Sequence, residues 1–209
     1  MESLDNLALK YGTDKSSTYH DYCKTYELYL EPLRNNKISL VEIGVGGYHY
    51  ADRGGESLRM WYDYFVQGKI IGIDLYDKIN IVNDRTEFWQ GSQADENLFA
   101  SILEREKGSD KRIIIDDASH NNSLTIKTFE MIFPLLQSGD IYFIEDVHTS
   151  YFEDTEYEGS KDLSANTSMH YFQQLTHQLN YEHLKTEDVV NNKFEFIHFY
   201  KELIIVKKK

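Results

Sequence analysis

The sequence predicts an α/β fold: a central, mostly parallel seven-stranded sheet with an antiparallel C-terminal strand and helices on both faces. Three observations predict it. Short apolar runs alternate along the chain with segments whose apolar residues recur at helical spacing. The runs at 112–115 and 141–144 end directly in carboxylates, as buried parallel strands do where they enter a ligand crevice. The last two runs, 194–200 and 203–206, are joined only by Lys201-Glu202, a connection short enough to make them an antiparallel pair.

In chain order, residues 4–11 and 19–34 read as helices that precede the first strand, 38–41. A glycine-rich turn follows. Leu58, Trp61, Tyr62 and Phe65 then fall on one apolar face, so 57–66 is predicted helical. Strands are predicted at 70–74 and 86–90, a helix at 96–106, a strand at 112–116, a helix at 124–136 and a strand at 141–144. Pro134 falls near the end of its helix, where it bends the chain without abolishing the element. The acidic, core-poor stretch 151–164 reads as a mobile loop over the crevice, and 168–179 as a further helix. No internal repeat or linker interrupts the order, so a single domain over 1–209, opened by a helical segment at 1–36, is expected.

Composition narrows the function classes. A hydrophobic content of 41% with only 2 prolines fits a globular chain. A net charge of −13 argues against nucleic acid, which needs a basic footprint. The 16 tyrosines lack interleaved basic residues and read as surface and pocket lining, not as a stacking platform for bases. Cys23 is the only cysteine, which excludes an intramolecular disulfide and a zinc–thiolate cluster. No apolar stretch approaches membrane-spanning length and residues 1–10 lack a signal-peptide pattern, so no membrane partner and a cytoplasmic location are expected.

The strand ends carry the chemistry. Asp116-Asp117-Ala118-Ser119-His120 and Glu145-Asp146 each follow an apolar run, which crowds carboxylates and an imidazole at one end of one sheet. Burying that charge is unfavourable unless a cation compensates it, so the pattern reads as a metal site beside a base. The bland alternative is helix capping, with Ser119 capping a segment that begins near Asn121. Upstream, Glu42-Ile43-Gly44-Val45-Gly46-Gly47 places glycines where the backbone must turn tightly and approach a ligand. Glu42 argues against a phosphate cradle and suits a ligand bearing an ammonium or sulfonium group. Asp74, closing the second strand, is placed either to accept ribose hydroxyls or simply to start a loop.

This order of elements is that of the Rossmann-like class I methyltransferases. Five segments narrow the likeness: Lys10-Tyr11-Gly12-Thr13-Asp14-Lys15, Glu42-Ile43-Gly44-Val45-Gly46-Gly47-Tyr48, Gly55-Glu56-Ser57-Leu58-Arg59-Met60-Trp61, Ile115-Asp116-Asp117-Ala118-Ser119-His120 and Ile144-Glu145-Asp146-Val147-His148-Thr149-Ser150-Tyr151. Together they resemble the metal-dependent sugar O-methyltransferases of macrolide biosynthesis. The chain departs from that pattern in Ala118, where glycine is usual, and in the expected lack of a large N-terminal auxiliary domain.

The resemblance implies specific roles. Asp117, Glu145 and Asp146 would hold Mg²⁺, and His120 would be the general base. S-adenosyl-L-methionine would lie against Glu42, Gly44, Gly46, Gly47 and Tyr48, with Asp74 on the ribose and Ser92 and Gln93 around the adenine. Thr13 and Ser57 would make outlying contacts, Asp116 would face the cofactor, and Asp117 would border both cofactor and metal. His148 and Tyr151 would touch the acceptor or belong to core or lid. The implied partners are a small, glycosidic acceptor and a second copy of the chain, as a homo-oligomer. Three alternatives stay open: a catechol or phenolic acceptor, a cofactor-binding module without activity, and a nicotinamide-dependent dehydrogenase. The antiparallel ending and Glu42 disfavour the last.

Overall fold

The computed structural model describes residues 2–79, 81–183 and 193–209. Its elements, in chain order, are α1 (Leu4–Tyr11), α2 (Cys23–Leu30), β1 (Ser39–Ile43), α3 (Glu56–Tyr64), β2 (Lys69–Asp74), β3 (Thr86–Gln90), α4 (Glu96–Arg105), β4 (Arg112–Asp116), α5 (Asn122–Ile132), β5 (Ile141–Ile144), α6 (Ser168–Leu175), β6 (Phe194–Tyr200) and β7 (Leu203–Lys208). The strands form one sheet in the order β3-β2-β1-β4-β5-β7-β6. Pairing is parallel from β3 through β5, and β7 runs antiparallel to both β5 and β6.

Strand alternation sorts the side chains into two layers. Leu40, Ile70, Ile113, Ile115, Phe143 and Ile205 pack under α1, α2 and α3 with Leu4, Tyr26 and Trp61. Val41, Ile71, Ile114, Tyr142, Ile144 and Ile204 pack on the other face with Phe99, Phe129 and Phe172 from α4, α5 and α6. The start of β4 is anchored to the start of β5 by a buried pair, Arg112 with Asp140 at 2.7 Å.

Register decides what the sheet presents at its carboxyl end. Ile43 is level with Ile73 and with Asp116, and Asp116 is level with Ile144. Gly44, Asp74, Asp117 and Glu145 are therefore the next residues along four adjacent strands. Their backbones interlock: Gly44 N donates to Ile73 O at 2.8 Å, Asp117 N to Ile43 O at 2.9 Å and Glu145 N to Asp116 O at 3.0 Å.

Several expected boundaries move. The helix expected from residue 19 starts at Cys23, because Asp21 adopts a left-handed φ of +57°. It then tightens into a 3₁₀ turn, Glu31–Leu33, at Pro32. Helix α5 begins at Asn122, capped by Asn121 and not by Ser119, since Asn121 Oδ1 accepts from Leu124 N at 3.1 Å. Pro134 likewise converts its helix end into a 3₁₀ turn, Phe133–Leu135. Helix α6 passes into 3₁₀ geometry at Thr176, and β7 runs two residues further than expected, to Lys208. The stretch 151–164 is held down: Tyr157 O accepts from both N and Nδ2 of Asn122, and Ser160 N donates to Ser150 O.

Candidate active site

A cavity of about 820 Å³ opens at the carboxyl ends of the parallel strands, within the range of small-molecule sites. Its lining includes Thr13, Gly44, Gly46, Gly47, Tyr48, Ser57, Asp74, Ser92, Gln93, Asp117, His120 and Asp146. Three other residues singled out from the sequence, Glu42, Asp116 and Glu145, are buried and do not line it. No residue of 151–164 lines it either.

The glycine turn forms one wall. Gly44 has φ +86°, and a Cβ there would collide with the Asp117 carbonyl. Strand β1 can therefore leave the sheet beside β4 only through a glycine. Gly46, at φ +73°, needs glycine for its backbone alone, since a Cβ would meet little but Gly54 Cα at 3.9 Å. Asp74 secures this wall from the next strand: Oδ2 accepts from Val45 N at 3.1 Å and Oδ1 from Tyr76 N at 3.0 Å. Gln93 ties the opposite side, accepting from Ser119 N and donating to Thr128 Oγ1, each at 3.2 Å. Lys78 donates to the Tyr48 and Tyr50 carbonyls and so shapes the segment that carries Tyr48 to the rim, where the residue is 82% exposed.

The floor holds an oxygen- and imidazole-rich group. One ligand atom from each of Asp117, His120 and Asp146 lies within 4.8 Å of the others. His120 Nε2 is 3.5 Å from Asp146 Oδ2 and 3.8 Å from Asp117 Oδ1. Two members are non-glycine residues in the left-handed region, His120 at φ +54° and Asp146 at φ +53°, as is Tyr48 at +48°. Such backbone is costly for ordinary side chains and concentrates at functional sites. Asp146 is further fixed by Tyr22, whose hydroxyl donates to Oδ1 at 2.6 Å. His20 Nδ1 approaches the same oxygen at 3.7 Å and Glu202 at 3.3 Å. Burial works against ionisation of Asp146, but His120 and the Tyr22 hydroxyl outweigh it and hold its carboxyl below the usual range.

Beneath the floor lies a second layer organised by a lysine. Lys15 is fully buried, with Nζ 2.5 Å from Asp117 Oδ2, 2.8 Å from Glu145 Oε2 and 3.3 Å from Glu42 Oε1. Gly12 at φ +74° ends α1, and the turn beyond it inserts Lys15, whose carbonyl accepts from Cys23 N at 3.1 Å. Burial alone would depress the lysine pKa, but Asp117, Glu145 and Glu42 raise it well above its ordinary value. The second oxygen of each glutamate is satisfied from the helices: Tyr26 donates to Glu145 Oε1, and Trp61 Nε1 to Glu42 Oε2 at 3.1 Å. Burial pushes the Glu42 carboxyl up to about 7 against the pull of Lys15. The ammonium that Glu42 meets is thus the chain's own.

Asp116 points the other way. It accepts from Tyr142 at 3.1 Å within the α5 side of the core, and burial raises it to about 7. Lys15, His20, Tyr22, Tyr26 and Trp61 are the site residues that sequence reasoning passed over. Lys15 and Trp61 lay inside motif segments, but nothing in their neighbours signalled burial against carboxylates. One ammonium among Asp117, Glu145 and Glu42 leaves negative charge in excess, and an all-oxygen and imidazole donor set suits a hard divalent cation. The bare glycine turn facing Asp74 equally suits a nucleoside-bearing ligand.

No family model matches the chain. It is 31% identical over 210 residues to the 8-demethyl-8-(2-methoxy-alpha-L-rhamnosyl)-tetracenomycin-C 3'-O-methyltransferase of Streptomyces olivaceus, covering 98% of this chain and 53% of that protein. It is 30% identical over 210 residues to the mycinamicin VI 2''-O-methyltransferase of Micromonospora griseorubida, covering 98% and 52%. The chain thus spans about half the length of the curated relatives it matches. Among solved structures, MycE methyltransferase from the mycinamycin biosynthetic pathway, in complex with Mg and SAH, superimposes with a TM-score of 0.90 at 30% identity over 99% of this chain and 54% of that one. The chain has the class I methyltransferase fold and, over nearly its whole length, resembles O-methyltransferases named for rhamnosyl-tetracenomycin-C, mycinamicin VI and demethylmacrocin, among which MycE was solved with Mg and SAH.

Proposed function

We propose that the protein is an S-adenosylmethionine- and Mg²⁺-dependent O-methyltransferase that acts on a hydroxyl of a sugar or glycosylated small molecule. The observation that carries this reading is the grouping of Asp117, His120 and Asp146 on the floor of a cavity walled by the glycine turn and Asp74. The likeness to O-methyltransferases of glycosylated natural products supports the acceptor class. Asp117 and Asp146 would hold the cation with water or acceptor oxygens, and Glu145 would join them by turning from its present partners. The glycine turn, Asp74, Ser92 and Gln93 would hold the adenosine, with Thr13 and Ser57 toward the amino-acid end.

When bound, the metal stabilises negative charge on an acceptor oxygen, and the sulfonium cofactor supplies an electrophilic methyl group. A sugar hydroxyl gives up its proton poorly near neutral pH. His120 Nε2 takes that proton, and the carboxylates beside it stabilise the imidazolium that results. The Tyr22 hydrogen bond and the left-handed backbone at His120 and Asp146 hold base and carboxylate in place, so that orientation is set before the acceptor arrives. Thr149 contributes by donating to the His120 carbonyl at 2.9 Å.

A panel of glycosides, catechols and phenols, incubated with methyl-labelled cofactor and Mg²⁺, tests the reading. Label on a glycoside hydroxyl is expected. Label only on catechols would reassign the acceptor, and tight binding of a nicotinamide dinucleotide with none of S-adenosylmethionine would remove the reading. Light scattering of the full chain tests the homo-oligomer.

A further inference from the structure

Lys15 has no role in the chemistry proposed above, yet its charge is fully buried among carboxylates. Lys15 borders the cavity with its side chain fully buried, and there it meets carboxylates at the ends of β1, β4 and β5. A lysine is seldom buried without partners, and here the partners decide its meaning. Asp117 divides its oxygens, Oδ2 on Lys15 and Oδ1 toward His120. Glu145 is fully engaged, with Oε2 on Lys15 and Oε1 on the Tyr26 hydroxyl. Among the described residues, the group able to hold a cation accordingly contains Asp117, His120 and Asp146 without Glu145.

We propose that Lys15 is the resident counter-cation of this site: a positioning residue that keeps Asp117 and Glu145 converged without metal and competes with Mg²⁺ for Glu145. The proposal rests on the metal reading given above. Two carboxylates brought together in a buried place repel each other, and without a positive charge the floor would hold its shape only while metal is bound. Lys15 removes that dependence. It does so incompletely, since one ammonium faces three carboxylates, and the residual negative charge still draws a divalent cation. A fixed positive charge beside the site also weakens cation binding, because like charges repel across a low-dielectric floor. Entry of Mg²⁺ at Glu145 becomes an exchange of one cation for another, with Lys15 retaining Glu42. An ordinary structural knot of ion pairs would stabilise the fold to the same extent with and without metal, and this is where the two accounts part.

The test uses the full chain as wild type, Lys15→Met and Lys15→Arg, with MgCl₂ alone as probe. Melting temperatures are recorded in chelator and in Mg²⁺, and the Mg²⁺ Kd is measured by calorimetry. The Met variant is expected to lose several degrees in chelator, to recover most of them in Mg²⁺, and to bind Mg²⁺ about tenfold more tightly. The Arg variant, which keeps the charge, is expected to restore wild-type stability in chelator. Equal losses in both conditions with an unchanged Kd would overturn the proposal. If the Met variant fails to fold even with Mg²⁺, Lys15→Gln replaces it: it removes the charge while keeping a hydrogen-bond donor, so it should tighten Mg²⁺ binding, and an unchanged Kd would overturn the proposal. Wild-type protein that binds no Mg²⁺ would remove the metal reading and the proposal together. Wild-type binding with unaffected variants would remove the proposal alone.

Discussion

Asp146 stands between two anchors: its Oδ2 lies 3.5 Å from His120 Nε2, and its Oδ1 accepts from Tyr22 at 2.6 Å. His120 is therefore held against a carboxylate that Tyr22, just before α2, fixes from the far side. Replacing His120 by Ala should lower turnover by about 10²–10⁴-fold, the usual contribution of a positioned base. Affinity for S-adenosylhomocysteine should stay near wild type. A steady-state rate with calorimetric binding checks both, and a variant with normal turnover but a lowered melting temperature would make His120 a packing residue.

Gly44 should tolerate no side chain. Its φ of +86° disfavours an L residue, and a Cβ would enter the Asp117 carbonyl. Gly44→Ala is expected to cost about 2–4 kcal/mol in urea denaturation, combining backbone strain with displacement of β4. Gly46→Ala, strained but open, should cost less. Equal costs would mean that the close approach to Asp117 is unimportant.

Asp74 both holds the turn and lines the cavity, so its removal should separate binding from fold only in part. The Ala variant loses acceptors for Val45 N and Tyr76 N and loses a carboxylate in the cavity. S-adenosylhomocysteine affinity is expected to fall by about 1–3 kcal/mol. Calorimetry that finds unchanged affinity would assign Asp74 to the turn alone.

Glu42 gives the chain a definite pH dependence. Burial raises its carboxyl from the ordinary 4.5 to about 7 in the folded state. Between those values the folded protein holds a proton that the unfolded chain has released, so this group's contribution is full below 4.5 and is lost as pH rises through 7. The urea midpoint should thus decline over that window, and Glu42→Gln should flatten the decline. A steeper decline in the Gln variant would contradict the assignment.

Much of this was legible from local pattern, and the exceptions have physical causes. Apolar runs closed by Asp74, Asp116 and Glu145 marked the strand ends, because parallel strands buried on both faces leave little else for their sequence to be. The resemblance set Asp116 against the cofactor, but nothing local shows which layer a strand-end side chain enters, and Asp116 lies buried with Tyr142 on the α5 side. Lys15 was not legible. A lysine after Gly12-Thr13-Asp14 reads as solvated, and its burial depends on three strand ends distant in sequence. The left-handed Asp21 hid the true start of α2 for the same reason, since long-range packing of 13–22 overrides helical spacing. The acidic stretch 151–164 looked mobile by composition, yet its backbone carbonyls find donors at the start of α5.

The most direct measurement follows labelled methyl transfer from S-adenosylmethionine to a glycoside, first in chelator, then after Mg²⁺ is restored, for wild type, Asp117→Asn and Asp146→Asn. No transfer is expected in chelator, with recovery in Mg²⁺ for the wild type and a severe loss in both variants while they stay folded and bind S-adenosylhomocysteine. Full transfer under exhaustive chelation, or variants as active as wild type, would contradict it.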